Sequence, residues 1–395
     1  MSEPSAQRPL TRLLEWLIGP RLTVYCLAFL FVLTFWGTVY QVEHGLYAAQ
    51  ERFYSSWLIL IGGFVPFPGT QLVLTVLTVN LTAYLMTMLG RSSFGILLTH
   101  AGLLLLLIGG GITHYFAEES QLTLMEGEAA SVSASYHHWE LAVWKQNGLV
   151  REVVAMDADH VKAGDTLRFD EAGLVVAVES YHRNARAFQS VAPLTNAPLN
   201  DLGISSLRGA RLAKQPEENV AGGIFVVTPD GGAPVRVLLF GEDRAATNFV
   251  HGGAEWTLAL RRVRTPLPFV VKLLDFKREM HPGTTMAKAF SSDVEVSTDG
   301  VDRTLTISMN KPMRDRGYTL FQASYSEQPG QPQMSTFAVT KNYGRLIPYV
   351  STGVIVLGMI WHFVAVLVRR VRRSACRFQV SGFRFQVWAC GCAQC

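Results

Sequence analysis

Two histidines of this sequence stand inside apolar runs. His100 lies about six residues into the run Phe94 to Thr113, and His362 lies seven residues before Arg369 in the run Leu346 to Val368. An ionisable side chain in such a run is a functional candidate by default. Neutral imidazole binds metals and is the usual axial ligand of haem iron. The plainer alternative is that each imidazole hydrogen-bonds a neighbouring helix. Seven further histidines, His114, His137, His138, His160, His182, His251 and His281, are scattered through the region that follows, where exposed loop histidines are commonly inert. Of the five cysteines, Cys26 sits in an apolar run and Cys376, Cys390, Cys392 and Cys395 sit in the final tail. Cys392 and Cys395 have CxxC spacing. Zinc usually wants a second pair of ligands, so an accessory tail is the simpler reading. No P-loop, GxSxG, HExxH or Rossmann glycine pattern sits in a plausible context. No CxxCH is present, so the chain is not itself a c-type cytochrome.

The elements that would carry these residues are membrane spans. The 395 residues are 49% hydrophobic and only 17% charged, against about 25% charged in ordinary soluble proteins. A bilayer core needs about 20 mainly apolar residues to be crossed by a helix. Four runs qualify: Leu22 to Tyr40, Gln71 to Leu89, Phe94 to Thr113, and Leu346 to Val368. A fifth stretch, Trp57 to Phe67, is short and ends in prolines. It reads as an interfacial or re-entrant piece near 57–68, or as an extension of the second span broken at the prolines. The fold class expected is a polytopic α-helical membrane protein with about four transmembrane helices and a large extracytoplasmic β-rich domain. Its parts are a cytoplasmic segment 1–21, three spans within 22–113, the β-rich domain 114–345, a fourth span 346–368, and a basic, cysteine-containing cytoplasmic tail 369–395.

Orientation follows from the basic residues. Arg8, Arg12 and Arg21 precede the first span, Arg91 separates the second and third, and Arg369, Arg370, Arg372 and Arg373 follow the fourth. All fall on one side if both termini are cytoplasmic. The modest net charge of +4 is topology information rather than a sign of nucleic-acid binding. With that orientation both span histidines would lie roughly 10 Å inside the cytoplasmic boundary, at 1.5 Å rise per residue. Gly95, Thr99, Gly102 and Gly109 share one face of the third span, and Ser351, Gly358 and His362 share one face of the fourth. Small residues admit a close neighbour, either a flat macrocycle or another helix of the same bundle.

The segment 114–345 has no cysteine, so it holds no internal disulfide, and it is long enough to bury a core. Alternating or β-branched runs recur at Trp139–Trp144, Leu174–Val178, Ile224–Val227, Val235–Phe240, Phe269–Phe276, Asp293–Val296, Leu305–Met309 and Tyr318–Tyr325, with turn signals between them. A sandwich or barrel-like domain is expected, with 183–222 as a long loop.

Several stretches in order resemble the ResB (CcsB) family of system II cytochrome c biogenesis. They are Trp36, Gly37, Thr38 and Gln41; Phe53 to Trp57; Val79, Asn80 and Leu81; His100 to Gly102; Glu126 to Glu128; Pro282 to Thr284; Ser292 to Val294; Asn310 to Met313; and Gly317 to Tyr325. The resemblance covers residues 20 to 370. The Gly62 to Thr70 insertion is longer than the family's usual second span, and the cysteine-rich tail has no counterpart in it. The resemblance implies a multi-pass protein of the bacterial inner (cytoplasmic) membrane with its large domain on the periplasmic or outer side. It implies a partner, a ResC/CcsA-type haem-handling membrane protein with a tryptophan-rich motif. Together the two would carry haem b across the lipid bilayer, holding it transiently, and attach it to the CxxCH cysteines of apocytochrome c. The chain would be at most part of a haem lyase complex. His100 matches the membrane histidine that ligates haem in the family, and His362 is a second candidate. The alternative is a scaffold that stabilises the partner and presents apocytochrome without binding haem.

Overall fold

The charge-free run after Arg21 has no acid, base or glycine to interrupt it before Gly37, and helix is the form that satisfies backbone groups in hydrocarbon. A computed structural model of the chain, which describes residues 15–90, 93–147, 150–189, 199–200, 203–241, 246–251, 253–284, 287–327 and 332–381, has α1 at Pro20–His44. Pro20 opens it, where a missing N–H costs nothing. The later helices are α2 (Thr70–Met88), α3 (Phe94–Phe116) and α4 (Ile347–Ser381). Gly90, at φ +78°, provides the left-handed stop after α2. All four are long and apolar enough to cross a membrane. Arg8, Arg12, Arg91, Cys390, Cys392 and Cys395 lie outside the described residues.

The chain divides into two compact units, one of Met1–Trp36, Arg52–Phe116 and Tyr343–Cys395, the other of Gly37–Glu51 and Ala117–Asn342. In the first, α3 packs on α4 through glycine. A Cβ added at Gly95 would lie 2.6 Å from the His362 backbone N, and one at Gly102 would lie 2.6 Å from Ile355 Cγ1. One at Gly358 would lie 2.6 Å from Thr99 N. The small-residue faces expected from the sequence therefore meet each other, and what they admit is a helix backbone.

The stretch 57–68 is neither a broken helix nor an extension of α2. It is a hairpin of β1 (Leu58–Ile61) and β2 (Val65–Pro68), turning at Gly62 and Gly63, both with positive φ. Trp57 O accepts from Gly69 N at 2.9 Å, which sets the alternation of the ladder. Pro66 and Pro68 then fall at positions whose N–H would point outward. Proline is tolerated at such an edge and excluded from a helix interior. Phe67 packs on Phe29 and Trp36, with ring centroids 5.7 and 6.1 Å apart.

The second unit is built on β3 (Glu118–Met125), β4 (Ala129–Asn147), β5 (Val150–Asp157), β6 (Thr166–Phe169), β7 (Leu174–His182), β8 (Ala185–Gln189), β9 (Ile204–Gly209), β10 (Gly222–Pro229) and β11 (Val235–Phe240). It continues with β12 (Ala246–His251), β13 (Ala254–Met280), β14 (Ala287–Thr298), β15 (Val301–Ser308), β16 (Met313–Asp315), β17 (Tyr318–Ser326) and β18 (Met334–Lys341). Every ladder among them is antiparallel. The ten-stranded sheet runs β15-β14-β13-β4-β3-β18-β17-β16, with β12 on β13 and β5 on β4. Two long strands, β4 and β13, serve two cores. At one end Leu141, Val143, Trp256, Leu258 and Leu260 face Val176, Val178, Phe225 and Val237 of the four-stranded sheet β11-β10-β7-β6. At the other end Leu124, Phe269, Val271, Leu273, Val294, Leu320 and Phe337 fill a curved sheet. Its ends approach where Thr298 donates to Asp315 at 2.9 Å and Ser308 bridges Lys311. Each set alternates with outward residues, the period-2 signature of a half-buried strand. The stretch 183–222 expected as a loop contains β8 and β9, which cover Leu238 and Phe240. Their sequences carry too few β-branched residues to announce a strand.

The second core holds a closed polar ring. Ser292 Oγ donates to Gln322 Oε1 at 2.8 Å, Gln322 Nε2 donates to Ser335 Oγ at 2.7 Å, and the two hydroxyls are 2.8 Å apart. All three residues are buried. Gln322→Leu leaves the two serines only each other, so one hydroxyl proton loses its acceptor, at a cost of about 1–3 kcal/mol. The expected result is a clearly lower thermal midpoint of the purified chain, and an unchanged midpoint would show that the ring contributes nothing.

Candidate functional site

The α3 contact with α4 fixes how α3 is rotated, and thereby where its histidine points. Gly95, Gly102 and Gly109 repeat every two turns and face α4. At about 100° per residue, His100 stands about 100° round from Thr99 and away from that contact. It lines a half-open pocket of about 470 Å³ between α1, α2, α3 and Ile18. Volumes of about 300–1,000 Å³ are typical of small-molecule sites. Apart from Thr23, Asn80, Tyr84 and His100, the lining is Leu, Ile, Val and Pro.

His100 is held on two sides. Its Nδ1 lies 2.8 Å from the carbonyl oxygen of Ile96, and its ring lies 5.5 Å from that of Tyr84, inclined at 55°. A carbonyl only accepts, so Nδ1 carries the hydrogen and the lone pair is left on Nε2. A ring N–H bonded to a backbone carbonyl is also the arrangement that orients a metal-binding imidazole.

The end of the cavity beside Pro20 is closed by a bend in the chain. Residues 15–18 are helical, Gly19 breaks the helix, and α1 starts at Pro20. Asn80, 2% exposed, accepts from Thr23 Oγ1 at 2.6 Å and donates to Leu17 O at 2.5 Å and Gly19 O at 3.4 Å. The amide thus supplies a donor to Leu17 O at the break in the helix and shares Gly19 O with Leu22 N. Asn80→Leu removes that clamp. Faster proteolysis before Pro20, with the β domain's melting unchanged, is the expected result, and wild-type cleavage rates would rule the clamp out.

His362 is elsewhere. Its backbone sits against Gly95 on the α3–α4 contact, and it does not line the cavity. Gly95 precedes His100 by five residues, so the two histidines differ in depth by about 7.5 Å, rather than sharing one level. The Nδ1 of His362 is buried with no hydrogen bond among the described residues.

The histidines further along have local partners. His114 Nε2 lies 2.5 Å from Gln71 Nε2 at the ends of α3 and α2. His138 Nδ1 is 2.6 Å from Asp159, and His160 Nδ1 is 3.4 Å from Asp157. His137 lies under the Tyr47 ring at 4.1 Å, and burial holds its pKa below the ordinary histidine value despite Glu217 nearby. Among the described residues no group of three or more His, Cys, Asp and Glu is arranged to hold a metal ion.

Residue type alone does not mark Tyr84 or Asn80 as site residues. Their spacing of four on one helix was the available signal, since it places two polar side chains on one face of an apolar run.

Residues 241–340, from just before β12 to β18, match the model of the ResB-like family. No curated protein matches the chain.

Proposed function

We propose, proceeding from the ResB family membership that the match over residues 241–340 supports, that this chain serves cytochrome c biogenesis by holding haem within the membrane. The family implies a role in cytochrome c biogenesis. Passage of haem across the bilayer, and its delivery to apocytochrome c with a ResC/CcsA-type partner, is the finer reading. It rests above all on one observation: an imidazole whose Nδ1 is engaged by Ile96, leaving the lone pair on Nε2, lines an apolar pocket. The donor is of the right chemistry for haem iron, and the cavity walls suit a flat, largely apolar molecule. The haem would supply the group to be transferred. The chain's part is to ligate, to exclude water, and to hold the imidazole in one tautomer. The orphaned Nδ1 of His362 is a second nitrogen that fits iron, on the α3–α4 face rather than in the cavity. Among the described residues no second His, Cys, Asp or Glu lines the pocket with His100, so the partner is the source proposed for the remaining ligand. Co-purification with the partner and absorption spectra of wild type, His100→Ala and His362→Ala test this assignment. A spectrum unchanged in His100→Ala would leave the scaffold role instead.

The orientation proposed has both termini in the cytoplasm and 114–345 outside, because Arg21 and Arg369 to Arg373 flank the spans on the same side. Reporter fusions inserted after Gly231 and at the C-terminus should report opposite compartments. Identical compartments would overturn the four-span arrangement.

A further inference from the structure

We propose that the hydroxyl of Tyr84 is a binding group of this cavity and hydrogen-bonds a peripheral oxygen of the molecule that His100 ligates, an inference that rests on the haem reading above. Among the described residues four polar side chains line the pocket. Thr23 and Asn80 are committed to each other and to the carbonyls before α1. His100 has one nitrogen committed to Ile96. The Tyr84 hydroxyl has no hydrogen bond among the described residues, although its ring is fixed against His100. Tyrosines near a membrane surface commonly reach outward to water. In this last part of α2 the exposed large side chains are Met86 and Leu89, whereas Tyr84 turns into the cavity. A phenylalanine would pack the same ring, so the hydroxyl adds only a polar atom, without a partner among the described residues, to a mostly apolar lining.

The two available polar atoms differ in kind. His100 Nε2 offers a lone pair, and the phenol offers a proton. Together they suit a flat apolar molecule with a Lewis-acid centre and an acceptor oxygen at its edge, of carboxylate or carbonyl type. Rings 5.5 Å apart leave no layer between them for a flat molecule. Tyr84 therefore sits beside the iron ligand and is not the ligand opposite it.

The experiment uses the full chain co-purified with its partner, stripped of haem, and titrated with two probes, hemin and metal-free protoporphyrin IX. The second keeps the carboxylates and lacks the metal. Tyr84→Phe should melt like wild type and bind both probes about tenfold more weakly, the loss expected of one hydrogen bond. Its bound hemin should keep the wild-type absorption maxima, because the axial nitrogen is untouched. His100→Ala should weaken hemin, change its spectrum, and leave metal-free porphyrin binding nearly as it was. Wild-type affinity of Tyr84→Phe for both probes would overturn the proposal. So would a loss confined to hemin, which would mean that the hydroxyl acts through His100, or a lower melting temperature with unchanged affinity. If His100→Ala binds hemin with wild-type affinity and spectrum, the haem reading itself fails, a result distinct from any of those for Tyr84.

Discussion

His100→Ala should yield a complex that purifies intact but has lost its haem, and cells carrying it should make no mature cytochrome c. The substitution removes an imidazole that lines the pocket and is held through Nδ1 by Ile96 O and leaves the hydrocarbon walls standing, so any macrocycle retained would be loosely held and spectrally altered. His100→Gly frees still more room, and added imidazole should restore part of the wild-type spectrum by occupying the vacated position. On the proposed ligation, loss of one strong axial donor is an all-or-none change, which makes this the largest effect expected from a single polar side chain in the bundle. Absorption spectroscopy and haem content of the co-purified complex decide it. Full haem content with an unchanged spectrum would remove His100 from the site.

Gly358→Leu should be comparably severe by a different route. A Cβ at that position would meet Thr99 Oγ1 at 2.5 Å, Thr99 N at 2.6 Å and Gly95 O at 2.9 Å. Two of those three atoms are backbone, so no rotamer change relieves the clash, and α3 must move away from α4. Without a hydrophobic driving force between helices in lipid, close packing supplies much of their association. The expected outcome is little intact protein in the membrane. Whatever fraction is recovered should bind haem poorly, because rotating α3 turns His100 out of the cavity. Gly358→Ala is the graded companion, with reduced yield and an intermediate haem content. Yield measured by immunoblot and haem per protein in the purified fraction test both. Wild-type values for Gly358→Leu would show that the α3–α4 approach does not support the site.

The spans were legible because hydrocarbon imposes a one-dimensional requirement, about 20 apolar residues in a row, and residues 22–40, 71–89 and 94–113 match α1 to α3 within a few positions, while 346–368 matches the start of α4, which runs on past the apolar stretch to Ser381. The eight alternating runs likewise fall in strands, since a half-buried strand writes its period into the sequence. What they could not state was pairing. That β4 and β13 are each long enough to serve two cores, with registers shifting around Arg262–Arg264 and Pro266–Val271, depends on partners far away in the chain. The hairpin at 58–68 was missed as strands because LILI and VPFP are apolar on both faces and show no alternation.

The site divides in the same way. By itself the sequence determined that imidazoles lie in the third and fourth spans and that glycines stripe one face of the third, because both follow from residue type and helical spacing. Only the tertiary structure decided that the glycine stripe meets α4, and so leaves His100 on the other side, facing a cavity with Tyr84 and Asn80. Only the tertiary structure separated His362 from that cavity and placed it lower, against Gly95. The physical reason is that a helix's periodicity fixes angles between its own side chains. The absolute rotation and depth of each helix are set by which neighbour's backbone it can approach most closely, and that depends on surfaces brought together from distant parts of the chain.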